Sequence, residues 1–175
     1  EPDDLAVMEL RWSALTAAGQ PAAAIPEIRQ TLARLGSLVP DPAVRKERAV
    51  DLRSRAAAAA WAAGDRVQSV DEYYEILKLV PEDRAVLDRA VLAAQRAELL
   101  SRLEGDFRKA AADSPSDYRW PLVLARLEML RNNPKAAAAL YAQCLKVVPQ
   151  RTDLGAEALR PLELMGDWRA MKDRC

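Results

Sequence analysis

Three prolines, Pro81, Pro115 and Pro149, stand 34 residues apart, and no other feature constrains the fold of this chain as tightly. Each follows a run with helical patterning, where a proline ends one helix before the next begins. Eight residues before each comes a ring, Tyr73, Phe107 and Tyr141, again at intervals of 34. Four residues before the rings stand Ser69, Leu103 and Ala137. Just after them fall Ile76 with Leu77, Ala110 with Ala111, and Cys144 with Leu145. Several independent columns sharing one period are the mark of a repeated supersecondary unit.

Composition says what the unit is made of. Half of the residues are apolar but only 5% are aromatic, and much of the apolar share is alanine, the best helix former. Glycine and β-branched residues are scarce, so the expected fold class is all-α. The 26 basic and 26 acidic residues cancel, leaving no global field for nucleic acid or an anionic membrane. No stretch approaches the roughly 20 apolar residues that span a bilayer. The longest apolar run, 56–63, is alanine around Trp61. The sequence opens on Glu1 rather than Met and shows no signal peptide, as a processed or excised fragment would. The reading favours the cytoplasm, with the periplasm as the alternative for such a fragment. The Ala- and Arg-rich composition suits a bacterium with a GC-rich genome.

The prolines and glycines divide the chain into about four and a half antiparallel helix hairpins within a single domain, 1–175. The hairpins are expected at approximately 2–39, 43–80, 84–114, 117–148 and 152–175, the last truncated. Asp41, between Pro40 and Pro42, should cap the helix that follows. The interval from Pro40 to Pro81 is seven residues longer than the period, which implies a lengthened helix over 43–63 that projects beyond its neighbours. Pro26 and Pro161 fall inside helices. The rings, with Ala57, Val91 and Ala125, should build a continuous core, because one hairpin cannot bury its apolar face alone. Of Tyr73 and Tyr74, one is expected buried and one exposed.

The period, the ring and closing proline of each second helix, the turns Gly64-Asp65 and Gly166-Asp167-Trp168, and the opening Trp12-Ser13-Ala14-Leu15 resemble the tetratricopeptide (TPR) repeat. The resemblance covers most of the chain. The turn glycine is missing at Ala97-Glu98 and Asn133-Pro134, and no subfamily is indicated. It implies a right-handed superhelical array, a TPR-like α-solenoid, whose first helices line a concave groove for a peptide or protein partner. Carried over by position, that groove would display Arg55, Ala58 and Trp61, then Asp88, Arg89, Leu92, Gln95 and Arg96. Arg119, Leu122, Arg126 and Met129 follow, with Glu157 and Arg160 closing it. This mixture suits a segment that is both acidic and apolar. The competing reading of each arginine is solvated helix surface paired one turn away. The asparagines of the family's carboxylate clamp are absent, so a chaperone-tail clamp is not expected.

Catalysis finds no support. There is no histidine and no G-x-x-x-x-G-K loop, and only Lys or a carboxylate remains as a base for cysteine or serine chemistry. Cys144 and Cys175 fall at inward positions and are expected as buried free thiols. Glu82-Asp83 reads as a helix cap, and Tyr118-Arg119-Trp120 as a helix start rather than an RNA contact. The expectation is a protein-binding scaffold that is not an enzyme, with no cofactor, no metal and no nucleic acid. The alternatives are a module that self-associates, by the long helix or the C-terminal end, and a regulatory repeat region of a larger protein.

Overall fold

The computed structural model describes residues 5–167 together with 169 and 171. Among the described residues it is all-helical, with no strand. In chain order the helices are α1 (Leu5–Ala17), α2 (Pro21–Leu38), α3 (Pro42–Ala62), α4 (Arg66–Leu79), α5 (Arg84–Arg96), α6 (Leu100–Asp113), α7 (Arg119–Leu130), α8 (Pro134–Val147) and α9 (Thr152–Met165). Trp168 and Cys175, on which part of the expected C-terminal end rested, lie outside the described residues.

Local chemistry sets these boundaries. The Asp41 carboxylate accepts from the Ala43 and Val44 amides at 2.8 and 3.3 Å, so Asp41 caps α3 as the sequence implies and the helix starts at Pro42, one residue before the expected 43. Asp65 caps α4 through the Gln68 amide at 2.9 Å, and Asp83 caps α5 through the Val86 amide at 3.1 Å. Pro21, Pro42 and Pro134 each occupy a first helical position, where a missing N–H costs nothing. α7 begins two residues later than expected, because the Asp117 carboxylate turns back onto the Arg119 amide at 3.1 Å and holds Asp117 outside the helix.

The lengthened helix is confirmed at 21 residues, but it does not project unaccompanied. α2, at 18 residues, is long as well, and Arg45 donates to the Val39 and Pro40 carbonyls just beyond its end, at 3.0 and 2.7 Å.

The joints between paired helices repeat in torsion where they do not repeat in sequence. Gly64, Glu98, Asn132 and Gly166 are spaced by 34. All four are left-handed, with φ of 86°, 59°, 57° and 67°. The amide that follows each donates five residues back, to the carbonyls of Ala60, Ala94, Glu128 and Leu162, at 2.9, 2.8, 2.9 and 3.0 Å. This double-bonded closure satisfies helix-end carbonyls and needs the left-handed residue to do so. A residue with a Cβ pays about 1 kcal/mol for that torsion. Glu98→Gly should therefore raise the unfolding free energy by about 1 kcal/mol. A thermal melt checks this, and an unchanged or lowered midpoint would show that the Glu98 side chain supplies compensating contacts.

By their contacts the residues form two compact units. One ends at Leu100 and holds α1–α5; the other begins at Ser101 and holds the rest of α6 with α7–α9. In the first, each helix packs on the next. Trp12, Ala24, Ile28, Leu35, Leu52 and Ala56 form one cluster of its core, and Ala57, Ile76, Leu77, Leu87 and Val91 are also buried. In the second, Leu122, Ala125, Ala137, Tyr141, Cys144, Leu154 and Ala158 pack together. Phe107 is fully buried and stacks on the buried Trp120, with centroids 6.2 Å apart and planes 29° apart. Two rings of the expected column, Phe107 and Tyr141, are buried. Tyr73 and Tyr74 are both half-buried, not split into one inner and one outer ring.

Candidate functional site

In the first unit, α3, α4 and α5 enclose a cleft of about 290 Å³. Its apolar walls are Ala57, Ala58, Leu92 and Ala93, with Trp61 at one end. The alanines keep the walls low, and Leu92 stands 47% exposed above them. On α5, Arg89, Leu92, Ala93 and Arg96 fall at i, i+3, i+4 and i+7, so one helical face carries both cations and both apolar contacts. On α4, Ser69 and Tyr73 fall one turn apart and complete the lining. Trp61 is half-buried. The Arg66 guanidinium lies 3.7 Å from its ring centroid and donates to the Trp61 carbonyl at 2.8 Å, which holds the indole in place.

The electrostatics of this cleft are one-sided. Two arginines line it and no carboxylate does. Arg89 donates from Nε to the Ala85 carbonyl at 3.1 Å. Among the described residues, neither Arg89 nor Arg96 has an ion pair. Ser69 is 1% exposed, and its hydroxyl has no hydrogen-bond partner. Buried hydroxyls are ordinarily paired, so an orphan on the wall of a cleft calls for an explanation.

The structure thus gathers Ala58, Trp61, Arg89, Leu92 and Arg96 from the positions expected of a groove, and leaves others aside. Arg55 pairs with Asp51 at 2.9 Å and lies over the Trp12 ring at 4.9 Å, away from the cleft lining. Asp88 and Gln95 are exposed but do not line it.

In the second unit most of the expected groove is committed to the fold. Arg119 clasps Asp117 through Nε and Nη2 at 2.7 and 2.8 Å. Leu122 is fully buried, and Met129 packs against the core cluster. Arg126 makes a two-pronged pair with Glu157 at 2.9 and 3.1 Å, and the Tyr141 hydroxyl donates to the same carboxylate at 2.6 Å. Arg126 and Glu157 therefore join α7 to α9 instead of facing a ligand. Arg160 is exposed on α9.

A comparison with known proteins finds no family model that matches the chain, and no curated protein that matches it.

Two other clefts are larger. One of about 770 Å³, between α2, α3 and α4, has its charges matched internally: Arg53 bonds the buried Glu72 at 2.8 Å and reaches Glu75 at 3.6 Å. The other, of about 580 Å³, lies between α8 and α9 in the second unit. Cys144 is buried and free, its Sγ donating to the Tyr118 carbonyl at 3.4 Å. Burial pushes its thiol up to about 12, so the reactive thiolate is scarce at neutral pH. Among the described residues no group of His, Cys, Asp and Glu could hold a metal ion. No described helix is long and apolar enough to cross a membrane.

Proposed function

We propose that this chain is a TPR-like array, a right-handed superhelix of helix hairpins, that holds a protein or peptide partner and performs no reaction itself. The observation that carries this reading is the cleft of α3, α4 and α5. There two guanidinium groups without carboxylate partners stand beside an exposed leucine and a fixed indole. Arginine and aromatic anchors beside apolar contacts are the combination that dominates binding energy in protein interfaces. The recurrence of one left-handed joint every 34 residues supports a repeat of helix pairs as the scaffold. The groove of this proposal is narrower than the sequence suggests, centred on Trp61, Arg89, Leu92 and Arg96.

The test is capture of partners from the native cell by the wild-type chain and by the double variant Arg89→Glu/Arg96→Glu. Both arginines are exposed and, among the described residues, make no ion pair, so helicity by circular dichroism should be unchanged. Proteins held by the wild type should fall at least tenfold in the variant, as expected for losing charge-assisted bonds. An identical captured set from both proteins would sink the proposal.

A further inference from the structure

The cleft of α3, α4 and α5 has more specificity in it than a generally basic groove needs. We propose that it is an anchor site for one carboxylate side chain and the apolar residue beside it in an extended peptide. Arg89 and Arg96 take the carboxylate, the Ser69 hydroxyl donates to it, and Leu92 with Trp61 receives the apolar neighbour. This inference rests on the peptide-binding reading above.

Three observations define the occupant. The cleft is lined by two cations and no anion, so an acceptor with negative charge is favoured and a cation is repelled. Apart from Ser69 and Tyr73, the remaining walls are alanine, leucine and indole, a largely hydrocarbon lining that suits a monoanion on a hydrocarbon stem better than a strongly hydrated dianion such as a phosphate. At about 290 Å³ the space falls at the small end of ligand pockets, enough for one or two side chains but not for a packed helix. The Ser69 hydroxyl is independent evidence. It is 99% buried by its 1% exposure, lines the cleft, and has no partner in the chain. A hydroxyl kept unpaired in the free protein is a cost to the fold, and a bound acceptor removes that cost.

A library of displayed random linear heptapeptides, selected on the full chain, tests this. Enriched peptides should share an Asp or Glu next to Leu, Ile, Met or Phe. For a synthetic representative, Arg89→Gln or Arg96→Gln should weaken binding by roughly tenfold to a hundredfold. Changing the peptide's Glu to Gln should cost the same. The two losses should not add, because they remove one interaction. Ser69→Ala should raise the unfolding midpoint of the free protein and still weaken peptide binding about fivefold. A purely structural serine would not move affinity and stability in opposite directions.

Enriched peptides without an acid, tolerance of Glu→Gln in the peptide, or an affinity indifferent to Ser69→Ala would each overturn the anchor while leaving peptide binding intact. Far stronger competition by inorganic phosphate than by acetate would replace the carboxylate by a phosphorylated residue and overturn it too. A library that yields no binder at all overturns both the anchor and the reading it rests on.

Discussion

Arg126→Ala is expected to lower the unfolding free energy by about 3–4 kcal/mol. Arg126 and Glu157 are each only 12% exposed at the side chain, so removing the guanidinium takes a full opposite charge from beside a carboxylate that water barely reaches. The Tyr141 hydroxyl, at 2.6 Å, cannot compensate a full charge. Urea denaturation measures the loss. A double-mutant cycle with Glu157→Gln isolates the pair, whose coupling should account for most of the single-variant cost. Replacing both by apolar residues, as in Arg126→Met with Glu157→Leu, should recover part of the loss, since a buried ion pair stabilises little relative to a packed apolar contact. A cost below about 1 kcal/mol for Arg126→Ala would place the pair among ordinary surface bridges. This is why the groove test uses Arg96 rather than Arg126: a change at Arg126 would abolish capture by damaging the fold.

Phe107→Ala should be of similar size, costing about 3–5 kcal/mol. The ring is fully buried and stacks on Trp120, so truncation leaves a void and forfeits the ring–ring contact. The unit that holds it is small and begins at Ser101, so it has little buried surface to spare. Thermal unfolding checks the size of the effect, and red-shifted tryptophan emission should report the loosening around Trp120. Phe107→Leu keeps most of the volume and should cost no more than about 1.5 kcal/mol. Equal losses for Ala and Leu would mean that the stacking, not the filled volume, holds the site. Tyr73, in the same sequence column but half-buried, should tolerate truncation better than Phe107.

Several helix boundaries were legible in the sequence because they rest on local chemistry: prolines at Pro42 and Pro134, and carboxylate caps at Asp41 and Asp83. Burial of Ala57, Val91 and Ala125 was legible for a related reason, since a period fixes which face of a helix meets its neighbour. What a long polar side chain does with its far end was not legible. Arg126 lies at the position that would face a groove, yet its partner is 31 residues away, and only the packing of α9 shows that they meet. The far end of Arg55 was not legible either: it bonds Asp51 one turn back and lies over Trp12 on a different helix. Ser69 read simply as the small residue of its column, and its orphaned hydroxyl has no signature in sequence. By contrast, Arg89, Leu92 and Arg96, placed together by the resemblance and by helical spacing, do line one cleft, and no acid lines it with them.

The left-handed joints also bear on how such a chain can change over evolutionary time. Gly64, Glu98, Asn132 and Gly166 hold the same torsion and the same closing bond, whatever residue occupies the place. A recombination that deletes or copies one period, for example residues 65–98, would join two backbone ends already set in the same frame. Such an event changes the number of hairpins without creating a new kind of junction. Gly19 carries the same torsion and the same closing bond but stands 45 residues before Gly64, so the first interval alone offers a different length. Beyond that first interval, length is expected to vary among descendants of this sequence in whole steps of 34 residues, while letters at the joints drift one at a time.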